Sequence, residues 1–308
     1  MAFTAMAVRT LDAALARSPF QAFFSQRGRL ELTVLAYHHT RDRDTFTAQM
    51  DWLCRTHHPV SLEEVVHGFG GESPLPPRAA LVTFDDADPS LLEVARPVLQ
   101  ERGIPAVAFV VTGLLGTTQP FWWEEVESLI RAGGRIRSWP PDDAASIIRS
   151  LKRVDDETRL RCLHELRQTA AQPAEPRPHL RPQDLSVLEE AGIEIGSHSA
   201  THPCLPRCSD EKIEWELREA RGVLSSLLGH EPRAFAYPNG DHDPRVREAV
   251  QRAGYRVGFL FDHRISTWPP EDPLRISRVR VNSTASADRF RIIASGLHPL
   301  LHHALGRP

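Results

Sequence analysis

The chain has 308 residues, 41% hydrophobic and 25% charged, which are the proportions of a soluble globular protein with one large domain or two small ones. A formal net charge of −3 gives no strong pull toward nucleic acid, and the four cysteines (Cys54, Cys162, Cys204, Cys208) are too few for a disulfide scaffold in a chain this long. No uncharged apolar run approaches the ~18 residues needed to span a bilayer. The opening "MAFTAMAVRTLDAALARSPF" lacks a basic start and is interrupted by Arg9 and Asp12, a poor secretory signal. The expected location is cytoplasmic or peripheral to the inner membrane face. The 37 basic residues are 35 Arg and two Lys, Lys152 and Lys212, a bias that reads as codon usage.

Taken in chain order, residues 1–29 have weak helical character and read as an appendage. A strand–helix alternation then begins. "LELTVLAYH" (30–38) predicts a strand, and a helix follows over about 44–56. "AALVTFDD" (79–86) is the next strand. "PSLLEVARPVLQERG" (89–103) is a helix with Pro89 near its start and Gly103 past its end, and "IPAVAFVV" (104–111) is again a strand. Residues 121–180 break the rhythm with helical patterns and a Pro-rich close, and read as an insertion. The alternation resumes with a short helix and the strand "IEIGSH" (193–198). The helix over 209–228 has Ser209 as cap and Gly229 as stop. "RAFAYPNG" (233–240), "YRVGFLF" (255–261) and "LRISRVRV" (274–281) supply the remaining strands, and 291–308 is left as a tail.

Alternating strands and helices imply an α/β fold with a parallel sheet or barrel, in which chemistry gathers at the C-terminal ends of strands. Polar punctuation falls at those ends four times: His38, Asp85-Asp86, His198 and Asn239-Gly240. An isolated His-x3-His such as His198/His202 is more often a pair of surface or capping histidines. Beside "FDD" the same pair completes a two-histidine, one-carboxylate set with open positions, a usual catalytic arrangement for a divalent cation. The adjacent aspartates then divide the work: one ligates, and the other takes a proton from the attacking water. A rival structural zinc site of His198, His202, Cys204 and Cys208 has spacing unlike the usual paired ligands.

The stretches "TFDD" (83–86), "HSATH" (198–202) and "FAYPNG" (235–240), in this order and spacing, resemble the polysaccharide deacetylases of carbohydrate esterase family four, the nodulation-deacetylase-like proteins. Lesser support comes from "LAYHHT" (35–40), "PAVAFVVTGLLG" (105–116), "WW" (122–123) and "DPLRISRVRV" (272–281). The early Tyr-His strand is similar to the exopolysaccharide-locus branch. The resemblance runs over about 30–290. It implies a deformed (β/α) barrel of about seven parallel strands, here with the helical insertion 121–180. It also implies metal-dependent removal of N-acetyl groups from the amino sugars of a polysaccharide or its lipid-linked precursor. By that resemblance Asp85 is the general base and Asp86, His198 and His202 hold the metal, with Zn2+ expected and Co2+ or Ni2+ as alternatives. His38, as imidazolium, protonates the departing amine, with His298 as its competitor, and a backbone N–H at Asn239 meets the oxyanion.

Two departures from the family pattern stand out. Ala87 follows the aspartate pair where Gly is common, which costs energy if the turn needs φ > 0. Ala236 occupies the place of an Arg that orients the base, for which Arg278 on the last strand is a candidate replacement. Tyr237, Trp122 and Trp123, with Arg278, are the candidate sugar contacts; packing over the rim or under the insertion is the competing role for the aromatics. The expected partner is an N-acetylated amino-sugar polymer or oligomer. A small-molecule amide or formamide hydrolase on the same fold and a carbohydrate-binding protein without catalysis are the alternatives.

Overall fold

The computed structural model describes residues 12–18, 31–69 and 74–297. The strands are β1 (Glu31–Tyr37), β2 (His58–Pro59), β3 (Ala79–Phe84), β4 (Ala106–Val110), β5 (Ile193–Ser197), β6 (Ala234–Ala236), β7 (Val257–Phe259), β8 (Ser266–Thr267) and β9 (Val279–Arg280). They form one sheet in the order β7-β6-β5-β4-β3-β1-β8, parallel except for β1 with β8. The segment 276–280 closes the curl. It exchanges hydrogen bonds with β7 (Leu260 N to Ile276 O and Ile276 N to Gly258 O, both 2.8 Å), and β9 pairs with β1 at Leu35↔Val279. Six strands and this stave make the seven-membered deformed (β/α) barrel.

Side chains sort by strand parity, since successive residues face opposite sides. Leu32, Val34, Leu81, Val107, Phe109, Ala234, Ala236, Val257, Phe259 and Ile276 share one cluster inside the barrel. Their neighbours Leu35, Tyr37, Val82, Phe84, Ala108, Val110, Ile195 and Val279 share another, under the helices. Gly196 points inward, where a Cβ would lie 2.6 Å from the Phe109 ring; the absent side chain is what lets that ring fill the interior.

The helices are α1 (Arg43–Thr56), α2 (Leu62–Phe69), α3 (Arg96–Arg102), α4 (Trp122–Arg131), α5 (Ala144–Leu151), α6 (Asp156–Thr169), α7 (Asp184–Glu190), α8 (Asp210–Leu228), α9 (Pro244–Arg252) and α10 (Ala287–Ala294). The helix expected over 89–103 begins as a π turn, Leu91–Ala95, before α3. Pro97 has no N–H for the Glu93 carbonyl, and the Arg96 N–H reaches Leu91 O instead. The expected strand 274–281 narrows to Val279–Arg280 and a bridge at Ile276, and Leu274 lies against Gly258, where a Cβ would meet its carbonyl at 2.6 Å. Helix α10 crosses the expected tail boundary and buries Phe290 and Ile293 in the core. Of the N-terminal appendage, residues 12–18 are described; Asp12 accepts a 2.9 Å bond from Arg289 of α10.

Candidate active site

Parity explains the paired aspartates. Asp85 continues the inward series of Leu81 and Thr83 and points into the mouth of the barrel. At Asp86 the chain turns out of the strand with φ 72°, followed by Ala87 at φ 52°, so the second carboxylate reaches the same mouth by backbone turning. The cost anticipated for Ala87 is therefore present. Burial of its methyl in the core and a hydrogen bond from Leu180 N to its carbonyl (3.2 Å) offset it.

His198 ends β5 on its inward face. Its Nδ1 lies 2.8 Å from the Ala236 carbonyl. A carbonyl only accepts, so Nδ1 carries the hydrogen and Nε2 presents a lone pair. That lone pair is 3.7 Å from Asp86 Oδ1, and His202 Nε2 is also 3.7 Å from it. Ligand atoms of Asp86, His198 and His202 all lie within 4.8 Å of one another. Asp86 Oδ1 is buried without a hydrogen-bond partner. Burial holds both imidazoles neutral, His202 well below its ordinary pKa, while burial and the neighbouring Asp85 push the Asp86 carboxyl up to about 7. Buried electron pairs that face one another without donors are costly, and a divalent cation removes that cost. The residues present fit such an ion.

Asp85 is held differently. Arg278 spans it with Nη1–Oδ1 at 2.6 Å and Nη2–Oδ2 at 2.8 Å, and donates from Nε to Leu260 O at 2.8 Å. Burial alone would raise the Asp85 carboxyl, but the guanidinium overrides it and holds the group well below the usual range. Thr83 Oγ1 accepts from Arg278 at 3.2 Å and donates to Leu35 O at 2.9 Å, so three staves brace the pair.

The remaining expected residues fall on both sides of the line. His38 follows β1 on the inward parity, edge-on to Phe261 with ring centroids 5.3 Å apart. Burial brings its imidazole down to about 4, against the pull of Asp85, so the resting ring is neutral. Asn239 sits at φ 58° in the turn after β6. Its Oδ1 accepts from Lys152 at 2.8 Å, and its Nδ2 faces Cys204 Sγ at 3.7 Å. Trp123 lies 4.7 Å from the His202 ring and stacks on Phe121 at 4.6 Å, so the start of the insertion walls the mouth. Trp122 is buried under Arg159.

Two sugar contacts are corrected. Tyr237 faces away from the barrel interior, is fully buried, and donates to Leu274 O at 3.0 Å, so it belongs to the core. Arg278 is also fully buried and spends its guanidinium on Asp85, so it orients that carboxylate and does not meet substrate. The Cys204 and Cys208 thiols are pushed by burial up to about 11 and about 12, and neither joins the ligand group. His298 lies outside the described residues. Sequence reasoning missed Lys152, Phe121 and Glu216, whose contacts to the site are all made between distant segments.

The family model for polysaccharide deacetylase matches residues 72–258. Chitin deacetylase 2 of Saccharomyces cerevisiae is 32% identical over 81 residues, covering 26% of each chain. Poly-beta-1,6-N-acetyl-D-glucosamine N-deacetylase of Staphylococcus aureus is 30% identical over 78% of this chain and 67% of its own. Among solved structures, the Streptococcus pyogenes deacetylase PplD, in complex with acetate, superposes with a TM-score of 0.60 at 18% identity, covering 84% of this chain and 95% of that one, a likeness of fold.

Proposed function

The chain belongs to the polysaccharide deacetylase family, and on that premise we propose that it hydrolyses N-acetyl groups on an amino-sugar polymer or its lipid-linked precursor, using a divalent cation at Asp86, His198 and His202. One observation carries this reading: a carboxylate kept ionised by Arg278 stands beside three buried ligand atoms that converge without donors between them. The two-histidine, one-carboxylate set suits Zn2+, with Co2+ or Ni2+ as alternatives. When bound, such an ion would supply Lewis-acid polarisation of the acetamide carbonyl and lower the pKa of a water toward ~7.

Asp85 takes a proton as water adds to the carbonyl carbon. Arg278 makes this carboxylate a weak base, but an ionised and aimed one, which suffices for an acidified water. The turn at Asn239 presents backbone to the growing oxyanion. The C–N bond breaks as nitrogen gains a proton, leaving acetate and a free amine. His38 begins neutral, so the proton that Asp85 removed from water is the one available to it for delivery to nitrogen. Trp123 and Phe121 shield the mouth from bulk water.

The test is acetate release from N-acetylglucosamine oligomers by the zinc-loaded protein. Release should stop with a chelator and return with Zn2+. Asp85→Asn should lower kcat by at least about 10²-fold, the usual scale of a general base, while Zn2+ binding persists. Loss of binding in that variant would mean that the two aspartates exchange roles; no chelator-sensitive release from any acetylated sugar would overturn the reading.

A further inference from the structure

Glu216, on α8, is completely buried, and its ion-pair partner among the described residues is Lys212. Its Oε2 accepts from the backbone N–H of both Ala200 and Thr201 at 2.8 Å. Its Oε1 accepts from the Thr201 hydroxyl and stands 2.9 Å from Lys212 Nζ. Ala200 and Thr201 belong to the short link between His198 and His202. The other side of that link is held by the turn after β4, where Gly113 N donates to Ala200 O at 2.8 Å and Thr112 N to Ser199 O at 3.3 Å. The link is therefore gripped on its N–H edge and its carbonyl edge at once.

The grip opposes a conformational cost. Ser199 (φ 68°) and His202 (φ 56°) both occupy the left-handed region, which is unfavourable for residues with a side chain. This geometry turns His202 Nε2 toward Asp86 Oδ1. A bond from His202 N to Ser199 Oγ (3.0 Å) helps within the link, and among the described residues Glu216 is the carboxylate that hydrogen-bonds its backbone. Charge-assisted bonds to two successive amides pin both peptide planes, and Lys212 offsets the buried charge.

We propose that Glu216 is the positioning residue for the metal-binding link: it holds Ser199–His202 in its left-handed turns and so sets the affinity of the site for the cation. This rests on the metal reading given above. Zn2+ affinity, measured by competition with a chromogenic chelator, should weaken about 10–100-fold in Glu216→Gln, the range found for groups that support metal ligands. In the zinc-free protein the amides of Ala200 and Thr201 should exchange hydrogen faster while those of β1 and β3 do not. Thr201→Val, which removes one bond and keeps both amide contacts, should shift both readouts the same way by a smaller factor. A folded Glu216→Gln protein with wild-type Zn2+ affinity would overturn the proposal. If that variant does not fold, unchanged affinity and exchange in Thr201→Val would overturn it. Failure of the wild-type protein to take up Zn2+ would instead remove the metal reading. In that case the exchange rates still decide whether Glu216 holds the link.

Discussion

At the residue scale, adjacency is what lets two similar carboxylates do different work. Asp85 keeps the pleat and meets Arg278; Asp86 leaves it at positive φ and meets two imidazoles. The pair was legible in sequence as a division of labour, and Arg278, the candidate there for holding one carboxylate, is found on Asp85. Ala236 supplies no guanidinium from β6, and Arg278 reaches Asp85 from the closing stave, on the far side of β7 from Ala236. A planar fork that spans both carboxylate oxygens cannot be replaced by a point charge. Arg278→Lys should therefore lower kcat about 10–100-fold with Zn2+ affinity little changed, measured on the same oligomer assay. An unaltered kcat would show that Asp85 needs no second hydrogen bond.

At the element scale, the insertion is part of the site's construction. Its start places Phe121 and Trp123 against His202, and the residue after α5 sends Lys152 to Asn239. Spacing showed that 121–180 departs from the strand–helix rhythm; only folding brings its residue 152 next to residue 239. Lys152→Met should cost about five-fold in kcat, the rate equivalent of one hydrogen bond worth ~1 kcal/mol, with little change in melting temperature because the pair is partly exposed. Helix α2 escaped the sequence reading although its signal was there. Ser61 and Glu64 form a capping box, with Ser61 N to Glu64 Oε2 at 2.8 Å and Glu64 N to Ser61 Oγ at 3.2 Å.

At the scale of the whole molecule, the barrel is sealed by helices whose buried polar groups make stability depend on pH. His57 caps the end of α1, packs 5.5 Å from Trp52, and is lowered by burial to about 4. Its folded pKa is below the unfolded value of ~6.5, so the unfolded chain binds the proton more tightly. The stability it contributes is present above pH ~6.5 and is lost as pH falls toward 4. Between pH 7 and 5 the urea midpoint should drop less in His57→Gln than in the wild type; equal drops would place the proton uptake elsewhere.

The sequence by itself located six strands of the barrel, the clear helix over 209–228 and the polar residues at four strand ends, because periodicity and caps are local properties of the chain. The family resemblance implied the set Asp86, His198 and His202, and the structure brings their ligand atoms within 4.8 Å of one another. The sequence offered Arg278 for Asp85 and the structure placed it there; tertiary structure alone decided that Tyr237 belongs to the core and that Glu216 and Lys152 reach the rim loops. Those contacts join residues 15 to 193 positions apart. Their energies arise from burial and charge pairing, quantities that do not exist until the barrel closes.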